Sequence, residues 1–228
     1  MTIKVENINK KYSKKDAIFS NFSLEIEGGK VIGLLGENGI GKTTLLKMIA
    51  DLAKPDSGTI TINGQEVSYN TRDMISWLIE VENLEWRTKV KDAIAYYHDF
   101  FPDFDMKKCE ALCEAFNIKT NDKIANLSKG QGERVCLMLC LSRRAPFYVL
   151  DEPMAGFDPK FKKELISAIL SHVEEGQTLL ISSHLLKDLD ALLDRVIILT
   201  HNKATIADAD EIRARGISIE DFYLEVVE

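Results

Sequence analysis

The sequence predicts an α/β protein: a mostly parallel sheet, an antiparallel β layer at its edge and an inserted helical lobe. Three observations carry that prediction. Short, largely apolar runs at residues 31–35, 147–150, 178–182 and 195–199 have the pattern of strands buried on both faces. Segments of helical period alternate with these runs, an order that builds a parallel sheet. Residues 2–30 instead alternate apolar and polar positions in short stretches, as antiparallel strands with one wet face do.

Taken in order, Ile3, Val5 and Ile8 mark a first strand and Phe22, Leu24 and Ile26 a second, which ends at Gly28-Gly29. The apolar run at residues 31–35 then enters a glycine-rich loop. Beyond that loop Leu45, Met48, Ile49 and Leu52 recur at helical spacing, giving strand, loop and helix in succession. The turn signals Pro55-Asp56-Ser57-Gly58 and Asn63-Gly64 flank residues 59–62 and predict a hairpin. From about residue 90 to 144 the period is helical, broken by Pro102 and by the polar stretch 119–123. This is read as an inserted lobe, placed at residues 75–146 between core segments 1–74 and 147–228. A helix with Phe161, Leu165, Ala168, Ile169 and His172 along one side separates the strands at 147–150 and 178–182.

Composition narrows the function classes. With 228 residues, 45% of them hydrophobic and 29% charged, one large globular domain is expected. The longest apolar stretches fall far short of the roughly 20 residues that a bilayer-spanning helix requires. The first ten residues carry no charged segment followed by an apolar one, so the expectation is a cytoplasmic chain that is not exported. A net charge of −7 without a basic run disfavours a nucleic-acid partner. Cys109 and Cys113, like Cys136 and Cys140, are four residues apart. The second pair sits among Leu137, Met138, Leu139 and Leu141, which predicts buried helical thiols in a reducing compartment rather than zinc ligands.

Two motifs carry chemistry. Gly36-Glu37-Asn38-Gly39-Ile40-Gly41-Lys42-Thr43 matches the P-loop pattern G-x-x-x-x-G-K-[ST] and lies between a predicted strand and a predicted helix. Glycines let the main chain wrap closely enough to aim its N–H groups at phosphate oxygens, and the helix start adds its positive dipole end. Lys42 would neutralise charge on the β- and γ-phosphates of ATP, Thr43 would place its hydroxyl on Mg²⁺, and Thr44 closes the binding segment. The second motif is Phe147-Tyr148-Val149-Leu150-Asp151-Glu152, an apolar strand that delivers two carboxylates at its end. Asp151 suits the oxygen shell of Mg²⁺, and Glu152 would orient or deprotonate the attacking water. The fold class is accordingly a P-loop NTPase core of mostly parallel sheet, with the antiparallel edge layer and inserted helical subdomain described above.

Leu127-Ser128-Lys129-Gly130-Gln131 then resembles the LSGGQ signature of ABC ATPases, with Lys129 where glycine is usual. Ser128 and Gln131 also have the spacing of a capping box, and both readings can hold together. The resemblance implies that Ser128, Lys129, Gly130 and Gln131 of one subunit close over ATP on the P-loop of another. It further implies that Tyr12 stacks on adenine, where ordinary packing is the alternative. Asp158 corresponds to the loop that crosses the dimer interface, and His184 to the switch histidine on the γ-phosphate. Glu80 falls where the family carries a glutamine that senses γ-phosphate, so that it would sit by the metal; a register two or three residues on would bring Glu82 or Asn83 there instead.

The tail at residues 217–222 is similar to the ending of many ATPase subunits of the ABC-2 export branch. The function so implied is an ATP-hydrolysing subunit, a homodimer or paired with a homologous ATPase, that powers a separate transmembrane permease from the inner face of the membrane. Two alternatives are a soluble ABC ATPase and an ATP-binding regulatory subunit with weak hydrolysis.

Overall fold

In the computed structural model the described residues are 1–12, 17–85, 87–154, 156–183 and 189–228. Two sheets form the core. Strands β1 (Thr2–Lys11), β2 (Ala17–Glu27), β4 (Ser57–Ile62) and β5 (Gln65–Glu66) build an antiparallel layer in the order β2-β1-β4-β5. The larger sheet comprises β3 (Val31–Leu35), β6 (Ile75–Trp77), β7 (Phe147–Asp151), β8 (Thr178–Ser182), β9 (Arg195–Thr200) and β10 (Lys203–Asp208). Its order is β10-β9-β3-β8-β7-β6, parallel except for β10 against β9.

The apolar runs of the sequence acquire a physical reason here. Phe147 and Val149 of β7, Leu180 of β8 and Ile197 and Leu199 of β9 face one core, with the antiparallel layer and helix α1 (Lys42–Ile49). Tyr148, Leu150, Leu179, Ile181, Val196 and Ile198 face the other, with the helical lobe. A strand that serves a core on each side has no wet face, so alternation disappears from its sequence. Helix α1 lies between the sheets with Leu45, Leu46, Met48 and Ile49 fully buried, each side chain contributing on the order of 1.5–3 kcal/mol of hydrophobic stabilisation.

The lobe contains α2 (Val90–Phe100), α3 (Met106–Ala115) and α4 (Lys129–Leu141). Its predicted start needs correction: Ile75–Trp77, assigned to the lobe by sequence, is the edge strand of the main sheet and pairs in parallel with β7. Three residues with a serine in the middle are too short to show a strand period. Ser76 is buried because its hydroxyl donates to the carbonyl of Cys140, 2.7 Å away in α4. Helix α4 returns the chain to the sheet with every residue from Val135 to Leu141 buried. Three of the four cysteines are buried as predicted, and Cys113 is half-buried.

Arg143 joins lobe to core. Its guanidinium donates to the carbonyls of Ile75 at 2.7 Å and Asp73 at 2.8 Å, pairs with Asp103 at 3.0 Å and lies over the Phe101 ring. After β7 come α5 (Pro159–His172), α6 (Ala209–Ala214) and α7 (Ile219–Val227), the last being the tail singled out in the sequence.

Candidate functional site

The glycine-rich loop connects β3 to α1, as its motif requires. Gly41 has φ 113° and Gly36 φ 151°, both in the region that favours glycine. Space is equally restrictive: a Cβ on Gly41 would lie 2.6 Å from Ile18 Cγ2, and one on Gly36 would lie 2.8 Å from the Leu199 carbonyl oxygen. Among the described residues no side chain caps the start of α1, so its first N–H groups are left to a ligand or solvent. Lys42 is buried, and its ammonium donates to the carbonyls of Gly36 at 2.7 Å and Glu37 at 3.1 Å. Burial pushes its pKa down, while the nearby Glu152 and Asp151 carboxylates oppose that shift. Of the remaining loop residues, Glu37, Asn38 and Gly39 are exposed and Ile40 is half-buried. Thr43 is exposed one position into the helix, and Thr44 is buried beneath it.

At the end of β7, Asp151 accepts a 2.5 Å hydrogen bond from the Ser182 hydroxyl, whose oxygen accepts the Glu152 N–H at 2.9 Å. Ser182 stands opposite Asp151 in the β7–β8 register, and one hydroxyl thus fixes both acidic residues. Sequence reading missed this serine; its signal is a hydroxyl closing the neighbouring apolar strand. Glu152 adopts φ 49°, a left-handed conformation that turns the chain sharply out of the strand.

Beside these carboxylates lies a cleft of about 340 Å³ lined in part by Glu80, Glu82, Lys129, Glu133, Asp151 and Glu152. Glu80 precedes the 3-10 turn Val81–Asn83 and is exposed. Burial raises the pKa of Glu133, and Glu82 adds to the rise. Two of the three register candidates, Glu80 and Glu82, line the cleft.

The second helix start is arranged differently. Ser128 is the N-cap of α4: its hydroxyl accepts the Gln131 N–H at 3.3 Å, and the Gln131 side-chain oxygen accepts the Ser128 N–H at 2.8 Å. This is the capping box expected from the spacing. Lys129 points outward within 3.9 Å of Glu133, and a Cβ on Gly130 would meet nothing within 4 Å. Among the described residues, no hydrogen bond or ion pair joins residues 36–44 to residues 128–131.

Tyr12 is 65% exposed beyond β1, with the Lys10 ammonium 5.3 Å from its ring centroid, so its face is not packed into the core. Asp158 caps α5, accepting the N–H groups of Lys160 and Phe161 at 3.0 Å. The Phe161 N–H, ahead of the Arg134 charge, holds its carboxyl below the usual range. His184 lies outside the described residues.

Residues 19–155 match the protein family described as ABC transporter. The chain is 32% identical over 210 residues to the putative ABC transporter ATP-binding protein AlbC of Bacillus subtilis, covering 87% of each chain. It is 29% identical over 210 residues to the Nod factor export ATP-binding protein I of Burkholderia orbicola, covering 88% of this chain and 68% of that one. In fold it resembles a solved ATP-binding subunit of an ABC transporter, with a TM-score of 0.86 over 99% of both chains at 22% identity. The matched segment runs from the second strand through the phosphate loop, the lobe and the acidic strand end, and the chain belongs to the ABC transporter family, among its ATP-binding proteins.

Proposed function

We propose that the chain binds ATP with Mg²⁺ at residues 36–44 and hydrolyses it to drive a separate transmembrane permease, working as a pair with a second such subunit. One observation carries this reading: a helix start without a side-chain cap among the described residues, preceded by Gly36 and Gly41 where a Cβ would collide, holds a buried lysine beside two strand-end carboxylates. The buried ammonium now turned onto the Gly36 and Glu37 carbonyls is a charge awaiting phosphate oxygens.

The residues present fit a hard cation. Asp151 keeps one carboxylate oxygen beyond its bond to Ser182, and Thr43 offers an exposed hydroxyl. Together they would hold Mg²⁺, which supplies charge neutralisation on the phosphates. Glu152, aimed by its left-handed turn and by Ser182, would take the proton of the attacking water. Glu80, on the same cleft, would sit at the metal shell, and His184 at the γ-phosphate. Tyr12 offers its outward face to adenine.

Ser128, Lys129, Gly130 and Gln131 would close over the nucleotide of the opposite subunit, with Asp158 alongside. Among the described residues no packing asks for glycine at position 130, which suits close approach by an outside group. ATP gripped from both sides favours the closed pair over the open one, and that difference moves the permease. An apolar groove of about 230 Å³ between core and lobe, lined in part by Leu52, Tyr69, Trp77, Tyr97 and Phe100, offers the permease a seat. Among the described residues no helix is long and apolar enough to cross a membrane, so attachment at the inner face would run through that partner. Export is the direction suggested by the Nod factor relative.

The core is residues 1–74 and 147–228, extended by β6, with the lobe between them. Calorimetry on Lys42→Ala tests the reading: loss of two charge-assisted bonds lowers ATP affinity by roughly a hundredfold or more. Full retention of binding overturns it. A second reading is favoured by Glu80, a carboxylate where charge opposes phosphate: a subunit that binds ATP and hydrolyses it weakly. Glu80→Gln distinguishes the two, since only the weak hydrolyser gains turnover.

A further inference from the structure

Arg134 lies three residues after Gln131 in α4, and its side chain reaches two other elements. One guanidinium nitrogen, Nη1, donates at 3.3 Å to the carbonyl of Phe116, at the end of α3. The other, Nη2, stands 3.8 Å from Asp158 Oδ2, and Nη1 is 4.0 Å from Glu164 Oε2. The planar group lies 3.9 Å from the centroid of the Phe161 ring, which meets Phe157 at 4.4 Å and Phe116 at 5.2 Å. Asp158 divides its carboxylate accordingly: Oδ1 caps α5 while Oδ2 faces the arginine.

These contacts need a flat, forked cation, because an ammonium cannot stack on Phe161 while reaching two carboxylates and a carbonyl. The side chain is only 25% exposed, so solvent screens the charge incompletely. Among the described residues its partners belong to the lobe or to α5 and its N-cap, and none to the phosphate loop. We infer that Arg134 is a positioning residue that ties the Ser128 helix start to the loop at residues 156–158, so that both segments meet the opposite subunit's nucleotide as one rigid unit. The tie is a feature of the single chain; its use rests on the paired arrangement proposed above.

Two readouts test it. In the nucleotide-free chain, amide exchange of Arg134→Met should rise in residues 128–134 and 156–161 together, with residues 42–49 unchanged. In the Glu152→Gln background, Arg134→Met should require roughly tenfold more ATP to form a dimer, from the loss of a partly buried charged contact. Asp158→Asn, which keeps the capping oxygen, should shift it similarly, and the double variant no further. Arg134→Lys, a milder change, should fold with an unaltered circular dichroism spectrum and show the same exchange pattern. Exchange that rises only in residues 128–134, or an unshifted ATP requirement, overturns the inference. A Glu152→Gln parent that binds ATP without dimerising sinks the paired arrangement instead, and the exchange pattern still decides whether the tie exists.

Discussion

Two helix starts in this chain point toward phosphate chemistry, and they are built in opposite ways. At α1 no side chain among the described residues caps the first turn, and three positions of the loop before it, Gly36, Gly39 and Gly41, have positive φ. At α4 the first turn is closed by Ser128 and Gln131, which satisfy each other's main-chain N–H groups. An uncapped helix end leaves its first main-chain N–H groups to solvent or a ligand, whereas a capped end satisfies part of its own. In the proposed pair, the difference separates a start that would bind ligand within its own subunit from one that would wait, preformed, for a ligand brought by another.

The largest expected effect sharpens the open side. Glu152→Gln should lower turnover by roughly a thousandfold, the scale of a lost general base, with ATP affinity unchanged in calorimetry. Unaltered turnover removes Glu152 from the role.

A pair of glycine substitutions sets one start against the other. Gly41→Ala forces a Cβ into the Ile18 and Phe19 side chains at φ 113° and should cost about 2 kcal/mol of stability in urea denaturation, with ATP binding lost. Gly130→Ala enters open space inside a helix and should raise stability by up to about 1 kcal/mol, yet its methyl should impair ATP-driven dimerisation. If the two variants behave alike in urea denaturation or in ATP binding, the contrast between the starts is wrong.

Ser128→Ala is the smallest effect, about 1 kcal/mol of stability from a lost cap. Its dimerisation should fall further than that stability change explains, because in the proposed pair the hydroxyl would also face the nucleotide of the second subunit. A loss confined to stability would reduce Ser128 to a cap.

Much of this was legible in the sequence. The strands β3, β7, β8 and β9 announce themselves because burial on both faces removes polar residues from them, and the P-loop pattern placed its own strand and helix. Capping spacing at Ser128 predicted the observed bonds. What failed to show is what depends on distant partners. Strand β6 is three residues long and takes its strand character from β7, some seventy positions away. Ser182 matters because register sets it opposite Asp151. Nothing in the local sequence marks Arg134 or Arg143, and only the fold brings Asp158 to one and the Ile75 carbonyl to the other. The tail at residues 217–222 was read by its resemblance to other subunit endings and not as a helix; α7 starts within it, at an N-cap formed by Ser218 with Asp221.

The most direct test of the account is a crystal structure of Glu152→Gln with Mg-ATP. The account predicts a head-to-tail pair in which each triphosphate is held by the Lys42 loop of one subunit and by the Ser128 helix start of the other. A nucleotide seated on Lys42 with Ser128 remote from every γ-phosphate, whatever the arrangement of subunits, would contradict it.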